Sequence, residues 1–283
     1  MKYGVIGYGV VGGAVVEGFR RNGHTAAIYD RYKEPYTDFK AILDCDVVFV
    51  AVPTPPGDTG YDLTNLKDTV RALSREKYKG IACIISTINP QDYYELIEAS
   101  LDVQPFDKDG YVLAVSPEFL LEKTANDDFY FGQRVFYGPA GMIEKYDTKL
   151  RQALRECRAP GEAVITSMSP EKCYLIKTHN NIASAMKLAT ANLIFLEAIE
   201  CGLSEEEAQG IVDTVFEAPH LATTMRYHKV GNYEGTMGFG GMCLPKDLKA
   251  KAQKNAGTAL GDALSAIFKF NEYLRTQKVG QER

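Results

Sequence analysis

The sequence contains no run of like charges longer than the three glutamates Glu205, Glu206 and Glu207, and its formal net charge is only -5. Without a basic stripe there is no electrostatic footprint for gripping a polyanion, so nucleic acid is not expected as a partner. Long apolar runs are missing too. The segments Asp46–Pro53 and Ile81–Ile85 fall far short of the roughly 20 residues of a membrane helix. The first strand is expected to open directly after Met1 and Lys2, so neither a signal peptide nor a membrane anchor is expected. The six cysteines (Cys45, Cys83, Cys157, Cys173, Cys201, Cys243) include no CxxC pair, and His24, His179, His220 and His228 share no ligand spacing. That fits reduced thiols in a cytoplasmic setting better than a disulfide frame or a zinc site, and no metal is expected. Five of the cysteines read as small buried hydrophobes, and Cys243 stands apart. Internal repeats and low-complexity tails are absent as well.

What is present is an ordinary globular composition, 45% hydrophobic and 24% charged over 283 residues. At about 150 residues per domain this suggests two domains. From Lys2 to about Thr166, short β-branched runs alternate with helical stretches, the pattern of a parallel sheet covered on both faces. Strands are expected at Tyr3–Ile6, Thr25–Tyr29, Asp46–Val52, Ile81–Ser86, Tyr111–Ser116 and Arg134–Tyr137. Beyond Ser169 the strands stop, and Pro170–Glu200, Ser204–Phe216 and Pro245–Leu274 read as helices. Ser204 followed by Glu205, Glu206 and Glu207 specifies a helix start. The expected fold is therefore α/β: a doubly wound parallel sheet over residues 1–168, then a smaller all-helical domain with a long helix over 169–283.

Two places carry chemistry. Gly7-Tyr8-Gly9-Val10-Val11-Gly12 sets G-x-G-x-x-G between a strand and a helix. There Gly7 serves a tight turn, Gly9 the approach of a pyrophosphate to the backbone, and Gly12 close helix-on-strand packing, with the helix N-terminus facing the negative charge. Asp30, at the end of the second strand, sits where an acid would accept from a ribose 2′-hydroxyl and repel a 2′-phosphate. The cofactor expected is NAD rather than NADP, although Arg31 next door softens the choice. Pro53 and Thr54, in Val52-Pro53-Thr54-Pro55, and Thr87, in Ser86-Thr87-Ile88-Asn89-Pro90, leave later strands at the edge where open sheets bind ligands. Prolines and hydroxyls also punctuate ordinary loops.

The second place is Gly238-Phe239-Gly240-Gly241-Met242-Cys243-Leu244-Pro245-Lys246-Asp247. Pro245 suits a first helical turn, which puts Cys243 near the positive end of a helix, where a thiolate is favoured. A lone cysteine is ordinarily an inert buried thiol, but three glycines ahead of it suggest a ligand pressed against the backbone. Lys177 and Asn181, four apart on one helix face, can reach one oxygen from two directions, although such pairs are more often solvated. Glu118 and Glu122, also four apart, can supply an acid or base.

Together these motifs resemble the nucleotide-sugar dehydrogenases, the UDP-glucose and GDP-mannose dehydrogenase family, from Lys2 to about residue 255. The order is the family's: G-x-G-x-x-G, Val52-Pro53-Thr54-Pro55, Ser86-Thr87, Pro117-Glu118-Phe119-Leu120 with Glu122, Lys177-x-x-x-Asn181, and Gly240 to Asp247. The Leu-Pro-Lys-Asp run after the cysteine points to the UDP-glucose or GDP-mannose branch, closest to UDP-glucose 6-dehydrogenase. The resemblance implies oxidation of a sugar hydroxymethyl to a carboxylate with two NAD. Cys243 would carry a thiohemiacetal and then a thioester. Lys177 and Asn181 would hold the oxyanion, and Asp247, Thr87 and Glu118, supported by Glu122, would position or activate water. Gly7, Gly9, Val10, Val11, Gly12, Asp30, Pro53, Thr54, Thr87 and Glu122 would hold the cofactor. Phe119, Leu120, Tyr233, Phe239, Gly240, Gly241 and Lys246 would line the substrate.

The chain departs from the family at Leu121, commonly Arg, at Lys123, commonly Gly, and in a shortened stretch between Asp30 and Asp46. The family's further Rossmann-like domain, which grips the nucleotide, is not encoded before Arg283. Losing charge-assisted contacts of roughly 1.5–3 kcal/mol each would weaken binding by orders of magnitude. A partner subunit or a two-fold homodimer through the helical domain is the expected substitute. A two-electron β-hydroxyacid dehydrogenase and a non-catalytic NAD-binding scaffold or sensor are the alternatives.

Overall fold

A computed structural model describes residues 1–100, 110–139, 141–161, 163–217 and 237–277, without the side chains of Leu193, Glu197, Glu217 and Leu260. By internal contacts the chain divides into two compact units, Met1–Pro55 with Asp62–Lys177, and Pro56–Tyr61 with Thr178–Arg283.

In the first unit, β1 (Tyr3–Ile6), β2 (Ala26–Tyr29), β3 (Val47–Val50), β4 (Ile81–Ile84) and β5 (Val112–Val115) form one sheet in the order β2-β1-β3-β4-β5. Every pairing is parallel. Strands β1, β3, β4 and β5 are buried along their whole length, which is why they read as continuous apolar runs rather than alternating ones. The crossovers include α1 (Val10–Arg21), α2 (Thr64–Arg75) and α3 (Asp92–Ala99). Further on come α4 (Ala125–Tyr130), β6 (Arg134–Tyr137), α5 (Glu144–Glu156) and β7 (Val164–Ser167). Strands β6 and β7 form a separate two-stranded parallel sheet, with an isolated bridge between Val115 of β5 and Gly138 beside it. The sequence pattern had β6 in a common sheet and missed β7. That strand is short and half exposed, so it has no buried run to announce it. Phe19, Phe49, Ile81, Val112, Phe129 and Leu150 are among the side chains of this unit's core.

The 31-residue helix α6 (Pro170–Glu200) has the bounds expected from sequence. By length and composition alone it could cross a bilayer, which the short apolar runs considered above did not suggest. Asn181, Lys187 and Asn192 are buried along it, and Ala185, Leu188, Ala191 and Phe195 feed the apolar clusters of the second unit, so here it serves as a core helix. Helix α7 (Glu205–Glu217) opens on a reciprocal cap: Ser204 N donates to Glu207 Oε2 at 2.9 Å, and Glu207 N to Ser204 Oγ at 3.3 Å. The single helix expected over Pro245–Leu274 is two, α8 (Cys243–Lys254) and α9 (Ala259–Arg275). Gly257 takes a left-handed φ of 79°, and Thr258 caps the second helix by accepting from Gly261 N at 3.1 Å.

Candidate functional site

The glycine loop of the first unit divides its labour. Gly7 has φ 90°, and a Cβ there would meet the Ala51 carbonyl oxygen at 2.6 Å. At Gly12 a Cβ would lie 1.9 Å from the Gly7 carbonyl oxygen, so α1 packs on its own strand exit as closely as backbone allows. Beyond Gly9 there is open space, and as the N-cap of α1 it brings no side chain to the helix terminus. The first-turn amides, including those of Val10 and Val11, therefore face a space that a Cβ would narrow, a cradle suited to pyrophosphate. A cavity of about 450 Å³ opens there, lined by Gly9, Val10, Gly13 and Glu122 among others. Asp30 accepts from Tyr8 N at 2.8 Å through one oxygen and from Tyr32 N at 2.9 Å through the other. Each oxygen keeps acceptor capacity for a ribose hydroxyl. Arg31 leans 3.7 Å from Asp68. These residues fit NAD: donors for its diphosphate, and an acid for its ribose.

Pro53 is exposed. Thr54, buried, donates to the Thr87 carbonyl at 2.7 Å, so its hydroxyl ties together the two strand exits proposed to line the cofactor. Glu118 is engaged by Arg158, Nη2 to Oε1 at 2.6 Å, and Arg158 is itself only 1% exposed. The guanidinium also stacks 4.3 Å from the Phe129 ring. Lys177 is buried and stands 5.4 Å over the ring of Phe119, which meets Phe136 edge-on. Leu120 packs against the core of this unit.

In the second unit, Cys243 is exposed as the first residue of α8. Asp247, one turn further along, is 1% exposed and densely engaged. Its Oδ1 accepts from Tyr61 Oη at 2.8 Å and lies 2.7 Å from Lys246 Nζ, and its Oδ2 accepts from Asn181 Nδ2. Asn181 is buried, so Lys177 and Asn181 are not the solvated pair that i, i+4 polar residues usually make. The glycines ahead of Cys243 mostly accommodate the chain itself. A Cβ at Gly238 would strike Asn271 at 2.6 Å, and one at Gly240 would strike Arg275 at 2.4 Å, whereas Gly241 turns through φ 72° into open space. Asn271 holds the backbone of Phe239 from both sides, accepting from its N–H at 2.6 Å and donating to its carbonyl at 3.0 Å. Phe239, expected to line the substrate, instead buries its ring completely among Ile182, Leu188 and Leu248. Tyr233 lies outside the described residues, as do His220 and His228.

All six cysteines are free. Cys45, Cys83, Cys157 and Cys173 are buried, but Cys201 is exposed, against the expectation of five buried thiols. Burial pushes Cys45 up to about 11 and Cys157 and Cys173 to about 12. Tyr61, Arg158 and Asn271 escaped the sequence reading because each is a single residue outside any recognisable spacing.

Residues 30–157 match the family model described as UDP-glucose/GDP-mannose dehydrogenase family, NAD binding domain. The matched span begins at Asp30, so the glycine loop before it stands on its geometry. A UDP-glucose 6-dehydrogenase of Haloferax volcanii is 29% identical over 226 residues, 76% of this chain and 49% of the relative. A GDP-mannose 6-dehydrogenase of Pseudomonas aeruginosa is 29% identical over 222 residues, 76% of this chain and 48% of its own length. The chain thus spans about half the length of these relatives. The structure of a UDP-glucose dehydrogenase from Pyrobaculum islandicum superposes with a TM-score of 0.75 at 24% identity, over 96% of this chain and 68% of that one, a likeness of fold.

Proposed function

We propose, from the premise that residues 30–157 match the model of the NAD-binding domain of the UDP-glucose/GDP-mannose dehydrogenase family, that the chain oxidises the 6-hydroxymethyl group of a sugar nucleotide to a carboxylate. UDP-glucose or GDP-mannose is the substrate class. Bound NAD supplies the hydride acceptor, two equivalents per sugar. Gly7, Gly9 and Gly12 with the amides of α1 hold its diphosphate, and Asp30 holds its ribose.

The protein's own part is covalent and electrostatic. The Cys243 thiol adds to the C6 aldehyde left by the first oxidation, and the carbonyl oxygen becomes the hydroxyl of a thiohemiacetal. Loss of a hydride and the hydroxyl proton leaves a thioester. Water then adds, the C–S bond breaks, and the thiol returns with release of the carboxylate. Lys177 and Asn181 donate to the oxygen as it gains charge, and Asp247, Thr87 and Glu118 orient water, with Glu122 at the cofactor side. The observation that carries this reading is the exposed cysteine at the start of α8, one turn from a buried carboxylate held by Asn181 and Lys246. A two-fold dimer through the helical unit, or a partner subunit that grips the nucleotide, belongs to the same reading, as does a cytoplasmic setting for the free thiols.

The test counts NADH formed per sugar consumed with NAD and either UDP-glucose or GDP-mannose, alongside Cys243→Ser. Two per sugar, lost in the variant, is the expected result. One per sugar, insensitive to the substitution, would establish two-electron chemistry instead. No NADH from a protein that binds NAD would identify a non-catalytic scaffold or sensor.

A further inference from the structure

The six-residue excursion Pro56–Tyr61 interrupts the first unit in sequence yet belongs to the second by its contacts. It is a tight hairpin. Pro56 and Tyr61 pair as an antiparallel bridge, Gly57 N donates to the Gly60 carbonyl at 2.7 Å, and Asp62 N donates to the Pro55 carbonyl at 2.8 Å. Immediately after it, Asp62 Oδ1 accepts from Thr64 N at 2.9 Å at the start of α2. Both flanks of Tyr61 are thus fixed by backbone hydrogen bonds. Its hydroxyl donates to Asp247 Oδ1 at 2.8 Å. Lys246 closes the arrangement, with its ammonium 2.7 Å from the same carboxylate oxygen and 4.9 Å from the centre of the Tyr61 ring. A cation over the ring face draws on the aromatic electrons and strengthens the phenol as a donor.

The geometry points to Tyr61 as a positioning residue that sets the orientation of Asp247, and through its second oxygen the orientation of the Asn181 amide. This rests on the oxidation proposed above. Among the described residues the two oxygens of Asp247 meet Tyr61, Lys246 and Asn181, so each contact limits how the carboxylate plane can turn. The Asn181 amide bonds to the oxygen that Tyr61 does not use. Loss of the phenol hydroxyl removes one of the restraints on rotation about the Cβ–Cγ bond, so the carboxylate plane, still held by Lys246 and Asn181, turns more widely and the direction of the amide that meets the developing oxyanion widens with it. A misplacement of that kind lowers the rate of the chemical step rather than the affinity for substrates.

Tyr61→Phe keeps the ring and the Lys246 contact and deletes one oxygen. Expected is a fall in kcat of about 10–100-fold, the usual cost of one hydrogen bond to a charged group, with KM for NAD and for the sugar nucleotide within about twofold of wild type. In an Asp247→Asn background the same substitution should cause little further loss, because its effect passes through that carboxylate. A residue that only packs the hairpin would lower the unfolding midpoint and leave kcat alone. An unchanged kcat, a rise in KM alone, or multiplicative losses in the double variant would overturn the inference. A wild-type chain that formed no NADH would refute the oxidation and leave this contact decidable by urea unfolding of the same variants. Non-additive losses of stability would uphold the hold of Tyr61 on Asp247, and additive ones would overturn it.

Discussion

Gly9 and Gly12 lie in one motif, yet the structure assigns their alanine variants opposite phenotypes. In Gly12→Ala the new methyl would start 1.9 Å from the Gly7 carbonyl oxygen and 3.1 Å from Val5 Cγ1. The obstruction is backbone, so α1 must lift from β1 by about 1 Å. Overpacking of this kind costs about 1–3 kcal/mol, at the upper end here, and the better helix propensity of alanine returns about 1 kcal/mol. The net loss is about 2 kcal/mol, or roughly 4–8 °C in the thermal midpoint of a domain this size. In Gly9→Ala the methyl meets nothing within 4 Å, and φ is -86°, which alanine adopts freely. Its stability should stay within about 0.5 kcal/mol of wild type. The methyl does enter the space assigned to pyrophosphate, and losing one charge-assisted hydrogen bond of about 1.5–3 kcal/mol weakens NAD roughly 10–100-fold. Urea unfolding followed by circular dichroism and calorimetric titration with NAD separate the two effects. A Gly12→Ala protein as stable as wild type, or a Gly9→Ala protein that binds NAD unimpaired, would refute this division of labour.

Brief alkylation of the native protein with iodoacetamide should label Cys201 and Cys243 and spare the four buried thiols, as peptide mass spectrometry can read, because access and thiolate formation are both denied inside. Arg158→Met should cost about 3–5 kcal/mol by stranding the Glu118 carboxylate, and adding Glu118→Gln should recover much of it in urea unfolding. Glu17 is held down to about 2, first by the hydrogen bond from Arg20 and then by that from Arg21. Its folded value lies below the ordinary glutamate value of 4.5, so its small stabilisation is present above pH 4.5 and is lost as pH falls toward 2. Glu17→Gln should therefore unfold with a flatter acid dependence over that range.

The parallel sheet was legible because four of its strands are buried along their whole length and read as short runs rich in Val and Ile with no charged residue. The bounds of α6 were legible from the proline at its start and the capped Ser204 turn beyond its end. What stayed hidden has local causes. Asn255-Ala256-Gly257-Thr258 looks like a weak spot inside one helix, and only the left-handed Gly257 and the Thr258 cap make it a break. The glycines before Cys243 announced a close approach without saying to what, and at two of them the answer is Asn271 and Arg275. The burial of Lys177 and Asn181 depends on what packs over α6, which no spacing within the helix can report. Tyr61 sits in a Gly- and Asp-rich turn whose composition signals a loop and nothing more.

Asn271, from the last described helix, holds both polar groups of the Phe239 backbone, four positions before Cys243. During synthesis the thiol leaves the ribosome well before the residue that shapes its turn, and the Rossmann strands have all been made earlier still. Domains generally fold in the order they emerge. The nascent chain can therefore assemble its cofactor cradle while the cysteine turn is still unfixed, and the turn acquires its final shape only once α9 has docked. The Cys243 turn is in this sense late to mature, and a lesion in α9 would be felt first as a thiol without a defined setting.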